Sequence, residues 1–166
     1  MMLPGHLLVA SAGVLVIKAP YLTGWDAIDA TMLLQWSLVL VGSVLPDIDH
    51  PKSFIGRRFP VISWPLRLIL GHRGQRFSLL PRGLTHSLLA IVALLVLNQS
   101  VGNPWLNWLI VGYALHLVGD FLTPSGIPLF WPLGRDIRAP LVANTNSMGE
   151  WVLSIGAFAG AVVYAF

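Results

Sequence analysis

Gly112-Tyr113-Ala114-Leu115-His116-Leu117-Val118-Gly119-Asp120-Phe121-Leu122-Thr123-Pro124 is the stretch whose reading decides the fold. It closes an almost wholly apolar run from Trp105 to Leu122, and a run of that length reads as a membrane-crossing helix. Inside it a histidine and an aspartate stand four residues apart. On a helix, positions i and i+4 lie one above the other on the same face. Polar groups are costly in hydrocarbon, so ionisable residues within such a run are read first as functional. His116 and Asp120 are therefore expected to be two ligands of a metal site that the rest of the chain completes.

The composition supports the membrane reading. Of 166 residues, 55% are hydrophobic and only 10% charged, against about 25% charged in a soluble domain. Mean hydropathy is +0.74. The chain is expected to form one membrane-embedded domain over residues 1–166 with no separate soluble part. It has no cysteine, which excludes disulfides and thiolate metal sites. A metal would have to be held by His and carboxylate, a donor set that suits zinc, manganese or iron. The net charge of +3 is read as a bias of cytoplasmic loops, and no nucleic-acid partner is expected. The opening Met1-Met2-Leu3-Pro4-Gly5-His6 lacks the positive region of a signal peptide and is expected to be retained.

Five apolar runs follow in order: Leu3 to Leu22, Ala27 to Leu45, Leu84 to Leu97, Trp105 to Leu122 and Met148 to Phe166. The expected fold is all-α, a polytopic helix bundle of about five spans. Asp26 and Asp29 stand where carboxylates favour a helix start. Asn98 to Asn103 is read as a short uncharged turn. From Lys52 to Arg82 the chain is basic, without an acid. Within that loop, Val61 to Leu70 is apolar but short, and reads as an interfacial or re-entrant helix.

Positive charge concentrates in cytoplasmic loops, so Lys52–Arg82 is placed inside. Alternation then puts the N-terminus in the cytoplasm and the C-terminus outside. This topology, drawn from Lys and Arg alone, brings the strong ligand candidates to one level. His6 opens the first run. Asp47, Asp49 and His50 follow the second, His86 opens the third, His116 and Asp120 close the fourth, and Glu150 opens the fifth. Convergence of His and carboxylate from separate helices is how bundle cores build metal sites. Structural readings stand beside this one. Thr85 or Ser87 could cap a helix, Glu150 could complement a helix dipole, and His6 could be an interfacial hydrogen bonder.

The order Gly5-His6-Leu7-Leu8, Leu45-Pro46-Asp47-Ile48-Asp49-His50-Pro51-Lys52-Ser53, Gly71-His72-Arg73-Gly74, Arg82-Gly83-Leu84-Thr85-His86-Ser87-Leu88, Gly112-Tyr113 through His116 to Asp120, Thr123-Pro124-Ser125-Gly126 and Trp131-Pro132 resembles the YdjM-type inner-membrane proteins. These are described as LexA-regulated, membrane-bound, metal-dependent hydrolases of the bacterial inner membrane. The resemblance covers roughly residues 5 to 140. It departs from the family pattern where Gln75 to Leu84 separate His72-Arg73-Gly74 from Thr85-His86-Ser87.

The resemblance implies an all-helical fold and a more distant kinship with zinc-dependent phospholipase C and P1-type nucleases. It implies His6, Asp47, Asp49, His86, His116 and Asp120 as metal ligands, with zinc the first expectation and manganese or iron behind it. An uncoordinated carboxylate, Asp49 or Glu150, would serve as catalytic base. Arg73, Arg82 and Arg57 would hold phosphate oxygens. The expected substrate is a phosphoester, an anionic phospholipid or its headgroup, met at the cytoplasmic interface. Two other classes stay open, a metal or proton transporter and a non-catalytic membrane protein with a structural metal. The sequence does not set the oligomeric state.

Overall fold

The structure is a computed structural model. It describes all residues except 23, 25–27, 51, 52, 71–82, 134, 141 and 142, and for residues 49 and 66–70 it describes the backbone alone. Asp26, His72, Arg73 and Arg82, and the Asp49 side chain, thus lie outside the described residues.

Among the described residues the chain is all-helical, with one isolated bridge pairing Ile127 with Ile137. The helices are α1 (Leu3–Lys18), α2 (Ala30–Gly42), α3 (Phe54–Arg58), α4 (Pro60–Leu70), α5 (Leu88–Val101), α6 (Trp105–Phe121) and α7 (Met148–Ala165). Short 3-10 turns at Ala19–Tyr21, Leu45–Asp49 and Leu84–His86 connect them.

The expectation of about five spans meets helices of unequal length. Among the described residues two are long and apolar enough to cross a membrane, Leu3–Tyr21 with 19 residues and Met148–Ala165 with 18. Ala30–Gly42 has 13 residues and Leu88–Val101 has 14, short of the roughly 20 that the hydrocarbon core asks for. The shortening has local causes. Asp29 accepts the Met32 N–H at 2.7 Å and so fixes the start of α2 at Ala30. The tight Leu84–His86 turn delays α5 to Leu88.

At its other end α5 runs through the stretch read as a turn. Asn98 is buried in the helix, where its Nδ2 donates to Asn107 Oδ1 on α6 at 2.7 Å. Gly102, at φ 67°, takes the left-handed capping position that ends the helix. Of the two candidate caps, Ser87 stands at the N-cap position, but its hydroxyl donates to the Leu84 carbonyl instead.

Two pairs of helices carry the bundle. α1 packs along α7, and α2 along α6, with α1 also touching α6 and α2. The larger core joins Ala10, Val14 and Leu15 of α1 to Met32 and Val39 of α2 and Ala161 and Ala165 of α7. A smaller core of Tyr113, Leu117 and Ile127 lies under α5 and the loop after α6. Large apolar side chains such as Val16, Leu33, Val96, Val152 and Val163 point outward. Apolar surface of that extent marks a face made for lipid or partners.

The α2–α6 contact is set by glycine. A Cβ on Gly112 would run into the Val39 carbonyl, and one on Gly42 into the Leu109 carbonyl. Small residues let helix backbones approach closely, which is how membrane helices gain packing energy. Gly156 of α7 faces open space. Gly112→Val is therefore expected to cost about 3 kcal/mol or more by forcing α2 from α6, whereas Gly156→Ala leaves stability unchanged or higher. Thermal unfolding in detergent, followed by tryptophan fluorescence, checks this; equal midpoints for the two variants would contradict the contact.

Candidate metal centre

The connection of helix ends determines where the ionisable groups fall. α1 begins, α2 ends, α5 begins and α6 ends at one end of the bundle, so groups far apart in sequence meet there. His6 comes from the first turns of α1, Asp47 from the Leu45–Asp49 turn, His86 from the Leu84–His86 turn, and His116 and Asp120 from the last turns of α6. All five come together.

Four donor atoms form a closed ring. His86 Nε2 lies 3.7 Å from Asp47 Oδ1 and 3.6 Å from Asp120 Oδ2. His116 Nε2 lies 3.9 Å from the same Asp47 oxygen and 3.5 Å from the same Asp120 oxygen. A tetrahedral ion with bonds near 2.0–2.1 Å needs donors about 3.3–3.4 Å apart. The four separations exceed that by about 0.1–0.6 Å. His6 adds to the other side of Asp120, with Nε2 at 3.3 Å from Oδ1. Its ring stacks on that of His116 at 3.8 Å between centroids. Among the described residues, two groups could hold a metal: His6, His116 and Asp120, and Asp47, His86 and His116.

The protonation of His116 tests whether these residues fit a cation. The ring is fully buried, and its Nδ1 lies 2.7 Å from the Ser43 carbonyl. A carbonyl only accepts, so Nδ1 carries a proton and Nε2 is the ring nitrogen that faces the carboxylates. That Nε2 has no hydrogen-bond partner. It faces carboxylate oxygens, which only accept, so an unprotonated Nε2 sets lone pairs against lone pairs. A cation at the centre of the ring removes this conflict, and a ligating histidine held by a carbonyl through its other nitrogen is the usual arrangement around bound metal. His86 is held in a comparable way, with Nδ1 at 3.0 Å from Thr85 Oγ1.

Asp47 stands in a turn outside the helices. Burial opposes its ionisation, but the neighbouring His86 and His116 outweigh that and hold the carboxyl below its usual range. It is thus ready as an anionic ligand. On the far side of Asp120, the Met1 ammonium sits 2.5 Å from Oδ1.

Glu150 is placed elsewhere. It is buried at the start of α7, with Oε1 accepting the Met2 N–H and Oε2 the Asn146 N–H, both at 2.6 Å. The expectation of a catalytic base at Glu150 gives way to a structural clasp, because both oxygens are committed to backbone donors. Arg57, on α3, lines the cavity over the cluster. Arg73, Arg82 and the Asp49 side chain, expected as phosphate ligands and as ligand or base, lie outside the described residues.

That cavity measures about 660 Å³ and is walled by His6, Asp47, His50, His86, Asp120 and Arg57, among others. The loop after α6 supplies Ser125, Gly126 and Pro128 to its rim.

The geometry joins the same blocks of sequence that carried the resemblance, and the chain matches the YdjM inner membrane protein family over residues 1–165. The chain belongs to that family. Inner membrane protein YdjM of Escherichia coli (strain K12) is 38% identical over 151 residues, covering 83% of this chain and 69% of that one. The protein of the same name from Shigella flexneri gives the same figures. The uncharacterized protein YvsG of Bacillus subtilis (strain 168) is 32% identical over 146 residues, covering 83% of this chain and 79% of its own. No solved structure matches, and the expected kinship with zinc-dependent phospholipase C and P1-type nucleases is not shown. For this YdjM-family chain, two apolar helices of spanning length fit a bacterial inner membrane.

Sequence reasoning missed the residues that position the ligands. Ser43 acts through its carbonyl, which no side-chain pattern announces. Gly119 has its signal beside Asp120: a Cβ there would come within 3.0 Å of His6 Nδ1, so glycine is what admits the His6 ring. Glu150→Gln is expected to leave metal binding intact while costing about 1–3 kcal/mol, since an amide cannot accept from both backbone donors. His116→Ala is expected to hold the metal far more weakly, with a lowered midpoint from the cavity that the buried ring leaves. Elemental analysis beside thermal unfolding separates the two, and metal lost from Glu150→Gln at an unchanged midpoint would contradict the assignment.

Proposed function

We propose that this chain is a metal-dependent hydrolase acting on a phosphoester at the cytoplasmic face of the inner membrane. The observation that carries the reading is the opening of a polar cavity onto the His/Asp ring. A structural ion is sealed by its ligands, whereas a catalytic one keeps a position open to water and substrate. Here Asp47 and His86 are partly exposed at the cavity floor.

His86, His116, Asp47 and Asp120 would hold a divalent ion, zinc by preference, with His6 against the second oxygen of Asp120. A bound ion would supply Lewis acidity and lower the pKa of a water beside it toward about 7. The chain's own part is to orient and to charge the site. The Ser43 carbonyl sets the protonated nitrogen and ring angle of His116, and the Thr85 hydroxyl holds the ring angle of His86. The two carboxylates offset the charge of the ion. Arg57, on the cavity wall, is placed to take a phosphate oxygen, where a guanidinium bonds two oxygens at once. A phosphoester carries the negative charge that such a wall accepts.

The finer membrane arrangement we propose has α1, α2, α5, α6 and α7 crossing as five spans. The N-terminus and the basic Lys52–Arg82 loop lie in the cytoplasm, and the C-terminus lies outside. Helix ends that alternate at one level support it, as does the apolar surface that faces away from the bundle.

The test is hydrolysis of a water-soluble phosphodiester, bis(4-nitrophenyl) phosphate, by detergent-purified protein loaded with zinc, manganese or iron. Turnover is expected with at least one metal and lost with chelator and in His116→Ala. Arg57→Gln is expected to raise KM about tenfold with kcat nearly held, the loss of one charge-assisted contact. No metal-dependent turnover of this diester or of phosphatidylglycerol would contradict the proposal.

A further inference from the structure

A second depression lies along α5. It measures about 430 Å³ and is lined by Leu84, Thr85, Leu89, Ala93, Leu97 and Tyr113, with Ala90 and Leu94 completing its floor. Leu89, Ala90, Ala93, Leu94 and Leu97 share one face of the helix. Alanines set among leucines leave the hollow. From Leu89 to Leu97 the groove follows α5 for about 12 Å.

Its position is the informative feature. Thr85 lines both this groove and the polar cavity over the His/Asp ring. One end of the groove therefore abuts the wall carrying His86, and the other runs away along α5 toward Gly102. Polar groups are confined to the site end, where the Tyr113 hydroxyl is turned inward to donate to the Thr85 carbonyl. A chamber holding Arg57 and the His/Asp cluster, joined to an apolar trough, has the outline of a molecule with a phosphate head and a hydrocarbon tail.

We propose that the α5 groove seats one acyl chain of the phospholipid whose phosphate enters the cavity beside Arg57. This rests on the phosphoester reading of the site and names its substrate as a lipid of the surrounding leaflet. The geometry agrees with the order of groups in a bilayer: α5 starts at the site and runs away from it, as an acyl chain runs from its headgroup. Lipid tails are as apolar as leucine, so moving a chain from bilayer into groove brings little hydrophobic gain. The groove acts by position. It fixes one chain, and so sets how deep the phosphate sits over the ring.

The cysteine-free chain is reconstituted in phosphatidylglycerol nanodiscs as wild type, Ala93→Trp, and Val96→Trp, which places a tryptophan on another face of α5. Lipid retained on release is counted by native mass spectrometry, with zinc measured in the same samples. Wild type and Val96→Trp are expected to keep about one phosphatidylglycerol per chain. Ala93→Trp keeps at least tenfold less at equal zinc. If Ala93→Trp fails to fold, Ala93→Leu gives the same comparison with a smaller filling. The proposal is overturned if the filled variant retains lipid like the wild type, if the wild type retains none, or if the change is in oligomer mass instead of lipid count. Product release read in parallel keeps the two ideas apart. The expected retention pattern without turnover on any metal sinks the hydrolase reading alone. Turnover of the soluble diester with retention indifferent to Ala93→Trp sinks the groove alone.

Discussion

His116 lies fully buried where α2 meets α6, and its Nδ1–H is given to the carbonyl of Ser43 at 2.7 Å. This bond sits in an apolar bundle where an unsatisfied polar group is expensive. It places a proton on Nδ1 and leaves Nε2 directed at two carboxylates. It also requires α2 and α6 to be close, which Gly42 and Gly112 permit by lacking side chains. The packing of two helices and the chemistry of the site are thus one constraint.

The rest of the centre follows from connectivity. Because successive helices reverse direction, one end of the bundle collects the starts of some and the ends of others. Each ligand candidate sits within a turn or two of such an end, so the site needs no long loop to reach across. Asp120 is the hinge of the arrangement, with Oδ2 turned to His86 and His116 and Oδ1 to His6 and the Met1 ammonium. The clasp of Glu150 on the Met2 backbone holds the chain just before α1 in place, and with it the approach of His6.

Much of this was legible in the residues. His116 and Asp120 declared themselves by their i, i+4 spacing inside an apolar run, and loop charge alone placed His6, Asp47 and His86 at their level. The structure brings those five side chains together. Glu150 passed the same filter, because a carboxylate at a helix start looks alike whether it faces a cavity or a backbone. Asn98 was read as a turn residue, since the sequence does not show the Asn107 partner that makes it tolerable inside a helix. Helix lengths were overestimated where a tight turn or an early cap trims an apolar run, as at Leu84–His86 and Asp29. The Ser43 carbonyl and the α5 groove depend on which faces meet, and hydropathy along a single chain carries no information on that.

X-ray absorption at the zinc edge of the metal-loaded protein in detergent tests the central claim most directly. The account predicts a first shell of nitrogen and oxygen near 2.0–2.1 Å with outer-shell scattering from two or three imidazoles, reduced by one ring in His116→Ala. A shell of oxygen alone, or imidazole scattering that His116→Ala leaves unchanged, would contradict it.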